Sequence, residues 1–467
     1  MGGQSKKSVA VIGSGMAGLV SAYLLQNDRQ QRFTVEVFEM QDQLSLDSAS
    51  YTVPPGSDDD DNDGSPPCRI DIPMRALDNG FHNNLKRMYD YLDIKYSSPK
   101  FIYPLSSIST DRGNKKSPYY IHSSSNHMVP PLRPEGRGYV TWILQMVFLA
   151  VCYFWFTTCC FLVRPKPATK SREDESFRQY LARIRLPRRF IKDYLLPLMS
   201  SITTCPHDAL LEFPAIDCTE YARRTYRQPH YTVDGGVQNV QTRITNGQTV
   251  RLGATVTAVE TIGAKVRVTW TDESNKDSRS NDFDHVIMAV TPNVISAIYK
   301  PLQDTLGSIP VTSGESVVHR DLSTIPNCDR ALRKIAQRSQ PSAKQPQLLH
   351  ICSNDSSTES THTYSSSILV TNFPITPIDP SKVLHRARLA RVLRTPGSRK
   401  IVNRIFDADH VGASKKDDEW VWRNGDGNVW LAGAWCWDGM VLLEGCVVSA
   451  MRVATSLGVD VPWMAEE

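Results

Sequence analysis

None of the ten cysteines in this 467-residue chain stands in a C-x-x-C pair or at a zinc-ligand spacing, so the sequence offers no structural metal site. No secretory leader precedes the first apolar strand, which predicts free thiols in a reducing, intracellular compartment. Asn354-Asp355-Ser356 matches the glycosylation sequon, and without a secretory route it reads as chance. No sign of charge dominates. The 53 Lys and Arg against 49 Asp and Glu leave a net +4, which gives no reason to expect a nucleic-acid partner. No internal repeat is visible. What remains is ordinary globular composition, 40% hydrophobic and 22% charged, in a chain long enough for two or three domains.

The N-terminal sequence is more specific. Val9 to Ile12 predict an apolar strand, Gly13-Ser14-Gly15-Met16-Ala17-Gly18 a G-x-G-x-x-G turn, and Leu19 to Leu25 an apolar helix. In a dinucleotide site the first glycine allows the tight turn. The second lets backbone approach a pyrophosphate, and the third lets the helix pack close to the strand. The helix N-terminus then offers free N–H groups and partial positive charge to phosphate. A second strand, Thr34 to Phe38, ends at Glu39, an acid placed to accept hydrogen bonds from an adenosine ribose. The plainer alternatives are a glycine-rich turn that binds nothing and a solvated glutamate.

Two later stretches interrupt the globular pattern. Pro54 to Pro67 contains Asp58 to Asp61 among Gly, Ser and Pro and predicts an acidic loop. Residues 138–163 carry no charge and are long enough for a hydrocarbon core of about 30 Å. Tyr139, Trp142, Tyr153 and Trp155 suit an interface, and basic residues on both sides (Arg133, Arg137, Arg164, Lys166, Lys170) set no orientation. A single complete crossing would part the first strand–helix unit from the later strands. The segment is therefore expected to dip into or lie along one leaflet, to cross as an appended hairpin, or to be a buried core helix. Cys159-Cys160 are acylation candidates or simply small apolar helix residues. Ser353 to Ser367 is Ser/Thr-rich and reads as a loop within a domain.

After a turn at Asp234-Gly235-Gly236, the pattern predicts a helix over Val237 to Ile244. Strands follow over Thr249 to Leu252, Thr255 to Val259, Lys265 to Trp270 and Phe283 to Val290. Near the end, the strand Val429 to Ala432 leads into Gly433-Ala434-Trp435-Cys436-Trp437-Asp438-Gly439 and then a helix over Cys446 to Leu457. This second strand–glycine–helix unit again aims backbone N–H groups at a bound group, or is an ordinary C-terminal unit.

Together these units resemble the flavin-containing amine oxidoreductase and phytoene desaturase superfamily, nearest to a group of FAD/NAD-binding, amine-oxidase-like proteins. Supporting stretches are Ile70-Asp71-Ile72, Asp78 to Phe81, Tyr194 to Met199, His230 to Val237, Asp284 to Pro292, Val317 to Asp321 and Val429 to Ala454. The resemblance implies a mixed α/β and α+β fold, a Rossmann-like FAD-binding domain interleaved with a sheet-plus-helix substrate domain. The FAD-binding domain would take 1–67, 235–305 and 427–467, and the substrate domain 68–234 and 306–426. It implies that Gly13, Ser14, Gly15, Met16, Ala17 and Gly18 line the FAD pyrophosphate and that Glu39 holds the ribose. Val256 would lie by the adenine and Gly433 and Ala434 by the isoalloxazine. Glu444 would face the pyrophosphate or the flavin N1–C2=O edge. Two positions depart from the family. A Gly-Gly pair is replaced by Leu44-Ser45-Leu46, and a D-x-G by Asp71-Ile72-Pro73.

The function implied is an FAD-dependent oxidoreductase that passes a hydride from a small molecule to flavin N5. A helix against a membrane suggests a lipophilic substrate. No catalytic residue is identified. His230, His319 and Asp438 are candidates for a base or for structural roles, Trp435 and Trp437 for a flavin or substrate wall or for core, and Cys436 for a covalent flavin link. The alternative is a non-catalytic binding or escort protein on the same scaffold. A nicotinamide-dependent dehydrogenase fits less well, because it has no need of the Gly433–Gly445 unit.

Overall fold

The structure is a computed structural model and describes residues 6–52, 69–73, 75–99, 101–108, 117–123, 132–169, 173–272, 277–325, 347–364, 368–406 and 422–464. The acidic loop at 54–67 and Lys170 lie outside the described residues.

The strand β1 (Lys7–Ile12) is buried at its last four positions, as an uninterrupted apolar run requires when both faces of a sheet are covered. It is central in a parallel sheet. On one side lie β2 (Phe33–Phe38) and then the strand Thr249–Arg251; on the other lie His285–Met288 and then Val429–Leu431. Helices α1 (Met16–Gln26) and α5 (Leu443–Ser456) cover one face through Val9, Leu19, Ala22, Val447 and Ala450. An antiparallel sheet of Ala254–Ile262, Lys265–Asp272 and Ser278–Phe283 covers the other through Phe38, Val268 and Trp270. The parallel sheet draws on three separated parts of the chain.

The segments between supply a second sheet of seven strands. Its order is Val383–Val392, Val311–His319, Leu369–Asn372, Thr358–Thr363, Gln347–Ser353, Phe101–Ser107, Tyr120–Ser123. The Ser/Thr-rich stretch expected as a loop contains one of its inner strands, Thr358–Thr363. The hydroxyls of Ser360 and Thr361 are matched across the sheet. Thr361 Oγ1 meets Thr371 Oγ1 at 2.9 Å, and Ser316 Oγ donates to Asn372 Oδ1 at 2.7 Å while Asn372 Nδ2 donates to Ser360 Oγ at 3.3 Å. Paired in this way, polar side chains can be buried without a desolvation penalty that would expel the strand.

The uncharged run forms α3 (Tyr139–Leu162). Gln145, Leu149, Cys152, Phe156, Cys159 and Cys160 recur at helical spacing and are buried. They pack on Phe177, Tyr180, Phe190, Tyr194 and Cys218. Gln145 Nε2 donates to the Tyr194 hydroxyl at 2.7 Å, and Trp155 Nε1 to the Ile184 carbonyl at 2.8 Å. The other face is apolar yet open, with Phe154 72% and Leu162 76% exposed. The helix is thus neither buried all round nor free to cross a bilayer alone. Strands before and after it in sequence pair directly, Val9 with His285.

This two-faced packing separates two substitutions. Phe156→Ala should cost about 3–5 kcal/mol in urea unfolding, as large core truncations do. Phe154→Ser on the open face should stay within about 0.5 kcal/mol.

Candidate nucleotide site and interior wall

The turn after β1 needs its glycines. Gly13 sits at φ +101°, in the left-handed region, and a Cβ on Gly18 would lie 1.9 Å from the Gly13 carbonyl oxygen. Gly15 differs, because a Cβ there would meet nothing within 4 Å. Its bare side faces open space at the N-terminus of α1. Ser14, Met16 and Ala17 are buried around it.

The Glu39 carboxylate turns onto this turn. Its Oε2 accepts from Ser14 N at 3.1 Å and Ser14 Oγ at 2.5 Å, and its Oε1 accepts from Gln41 N at 3.0 Å. Backbone bonds of Glu39 to Arg251 and Ala254 bring the strand holding Val256 alongside, where a bulge breaks the register between Val256 and Ala258. The segment that replaces the glycine pair forms one helical turn, Ser45–Ser48. Ser45 donates its N–H to Ser14 Oγ at 2.8 Å, so this N–H is committed within the protein. Asp71 caps a helix: both carboxylate oxygens accept from Val237 N, at 3.0 and 3.1 Å, at the start of α4 (Val237–Thr245). Burial raises its pKa.

The C-terminal unit corrects one expectation. The Glu444 carboxylate is committed within the protein, to the N-terminus of α2 (Asn83–Tyr91). It accepts from Asn84 N at 2.9 Å, Asn84 Nδ2 at 2.7 Å and Leu85 N at 3.0 Å. A buried carboxylate on a helix N-terminus satisfies both charge and orphan donors. Gly433 exchanges hydrogen bonds with the Ser449 hydroxyl. The loop beyond Ala434 is held by Arg394, whose Nη2 donates to the carbonyls of Trp435, Trp437 and Gly439 at 3.0, 2.7 and 3.2 Å. Sequence reasoning passed over Arg394, one of several arginines between Arg386 and Arg399 with nothing in the pattern to single it out.

The base candidates separate. Asp438 is outward and paired with Arg452 at 3.0 Å. His319 is buried in the sheet: Nδ1 accepts from Asp321 N at 3.2 Å and Nε2 meets Thr371 Oγ1 at 2.8 Å. Cys436 is buried, and burial pushes its thiol pKa well up, against thiolate chemistry. Trp437 packs edge-on to Phe81, ring centroids 5.6 Å apart, and Trp435 donates to the Val290 carbonyl.

His230 lies on a strand of another sheet, His230–Val233, and its charge bears on His122, a member of a row that the sequence did not reveal. One register row of the large sheet carries Val318, Val370, His362, Leu349, Tyr103 and His122. Val318 and Val370 pack on Ile70 and Ile72, which flank Asp71. Tyr103 and His122 stack at 5.8 Å. Both are largely surrounded by protein and keep a small accessible surface. Burial lowers the pKa of His122 and of His362 to about 4 each, and lowers that of His230. His230 Nδ1 and His362 Nε2 are buried without a hydrogen-bond partner among the described residues. The wall therefore presents neutral imidazoles and aromatic rings.

These histidines make stability fall with acid. Between the ordinary 6.5 and about 4 the unfolded chain binds protons that the folded chain refuses. Their contribution is complete above pH 6.5 and disappears as pH falls to about 4, about 3 kcal/mol for each. Urea midpoints across this window should decline, and His362→Gln should make the decline shallower.

Two kinds of likeness bear on this geometry. A model of the NAD(P)-binding Rossmann-like domain matches residues 11–92, and one of the flavin containing amine oxidoreductase family matches 163–317. Two solved structures of putrescine oxidase, a double and a single mutant redesigned in cofactor binding, match at TM-scores of 0.58 and 0.59. Each is 14% identical and covers 97% of this chain and 99% of its own, which shows a shared fold. No curated protein matches in sequence. The two family models, with the shared fold, support an FAD-dependent oxidoreductase of the amine-oxidase-like kind.

Proposed function

We propose that this chain takes a hydride from a lipophilic small molecule and works at a membrane surface. The observation that carries the reading is the open apolar face of α3 on the domain whose interior wall is neutral and aromatic. A wall of uncharged imidazoles and rings offers a largely apolar guest the kind of lining that small-molecule sites have.

The residues fit the cofactor at an observable point, the open side of Gly15 beside the N-terminus of α1. FAD supplies the hydride acceptor when bound. The chain's own part is to bind and orient. The turn from Gly13 to Gly18 receives the diphosphate and Glu39 the ribose. Val256 borders the adenine, and Gly433 and Ala434 the isoalloxazine end. Glu444 acts one step removed, by fixing α2 against α5.

The α3 helix would lie in the plane of the membrane, its buried face holding the domain. Val140, Leu144, Val147, Val151, Phe154 and Leu162 would enter the acyl boundary. Arg164, Lys166, Arg185, Arg188 and Arg189 are at least partly exposed near its C-terminal half and on the neighbouring segment, suited to anionic headgroups.

Two measurements test this. Purified protein should carry a flavin absorbance band and release about one FAD per chain; colourless protein that gains no band with added FAD would sink the cofactor assignment. In flotation, wild type should rise with anionic vesicles. The double variant Val151→Asp, Phe154→Asp should stay behind with its flavin content unchanged. Wild type that remains with the soluble fraction ends the membrane reading.

A further inference from the structure

The surface beside the C-terminal half of α3 is not smooth. There α3 and the end of the helix Phe177–Arg183 leave an open groove of about 350 Å³. Trp155, Cys159, Val163, Arg183, Ile184 and Arg185 line it. Its shape is held by two hydrogen bonds across the two segments. Trp155 Nε1 donates to the Ile184 carbonyl at 2.8 Å, and the Tyr180 hydroxyl donates to the Val163 carbonyl at 3.2 Å. Cys159 and Ile184 are buried, while Trp155 remains 47% exposed. Phe154, Phe161 and Leu162 on the same stretch of α3 are exposed as well.

The two arginines at this groove differ. Arg183 is spent within the protein. Its Nε and Nη2 donate to the Glu175 carboxylate at 2.7 and 2.8 Å, and Nη2 also donates to the Arg164 carbonyl at 3.1 Å. Arg185 is exposed, and no hydrogen bond or ion pair engages its guanidinium among the described residues. Its backbone sits at φ +55°, just past the helix end, where the Leu186 N–H donates to the Leu181 carbonyl at 3.2 Å. Glycine usually makes this helix ending. An arginine here therefore serves the fold less well than glycine would, and it puts an unpaired cation on an otherwise apolar groove.

We infer, resting on the membrane reading above, that this groove takes one acyl chain of an anionic phospholipid and that Arg185 holds the lipid phosphate. The apolar lining suits a chain, and the volume is that of a small ligand site. A guanidinium donates two parallel hydrogen bonds to phosphate oxygens. A zwitterionic lipid brings its own cation to that phosphate and gains less from Arg185. The face of α3 would then do more than touch lipid; it would hold one molecule at a defined place.

The test uses phospholipid monomers too short to form vesicles, titrated while tryptophan fluorescence is followed. Dihexanoylphosphatidylglycerol should bind saturably, at about one per chain, and about tenfold tighter than dihexanoylphosphatidylcholine. Arg185→Gly should lose that preference while its urea midpoint holds or rises, because glycine suits the left-handed position. Arg185→Lys, which keeps the charge, should retain most of the preference. Val163→Trp, which fills the groove, should weaken both lipids. Wild type that fails to float with anionic vesicles ends the membrane reading and the groove's role with it. Protein that floats but binds both short lipids alike, or neither, overturns the groove alone. So does Arg185→Gly with the preference of wild type. A dimer in light scattering that Val163→Trp breaks, with no lipid bound, assigns the groove to a second copy of the chain and also overturns it. If Val163→Trp does not fold, Arg185→Gly decides by the same titrations.

Discussion

The approach of α1 to β1 governs the rest of the nucleotide half. It is set by Gly18 resting where any Cβ would strike the Gly13 carbonyl. Because the helix sits that close, its N-terminus and the bare flank of Gly15 lie just beyond the strand's end. The same seating brings α1 against α5, so the first and last parts of the chain share one core. Glu444 then transmits that position outward. Its buried carboxylate ties the start of α5 to the start of α2, and losing it would leave orphan N–H groups at a helix end.

Interleaving is the other constraint. The parallel sheet gathers strands from both ends of the chain and its middle, and the seven-stranded sheet fills the intervals. Each half is therefore completed only when the other is in place. This is also why α3 cannot be treated as an appendage. Its inner face carries core residues of the substrate half, while its outer face is left open.

Much of the nucleotide half was legible in the sequence, because glycines at fixed spacing and uninterrupted apolar runs are local signals. The strand, turn and helix of residues 7–26 follow from neighbours a few positions apart. The strand Thr358–Thr363 was not legible, since what makes its hydroxyls tolerable inside a sheet is supplied by Thr371, Asn372 and Ser316 on other strands. Glu444 was misread for the same reason, its partners lying 359 and 360 residues away in sequence. The row of His362, Tyr103 and His122 carries no motif and acquires meaning only when the sheet brings its members to one side.

The bonds of Gln145 and Trp155 fix α3 in roll as well as in place. A helix free to turn about its axis would present any side to its surroundings. This one always presents the same stripe, at the same angle to the rest of the molecule. The stripe therefore keeps a constant bearing relative to the row of His362, Tyr103 and His122. Two side-chain hydrogen bonds, near the two ends of the helix's buried face, thereby set which way its open stripe looks.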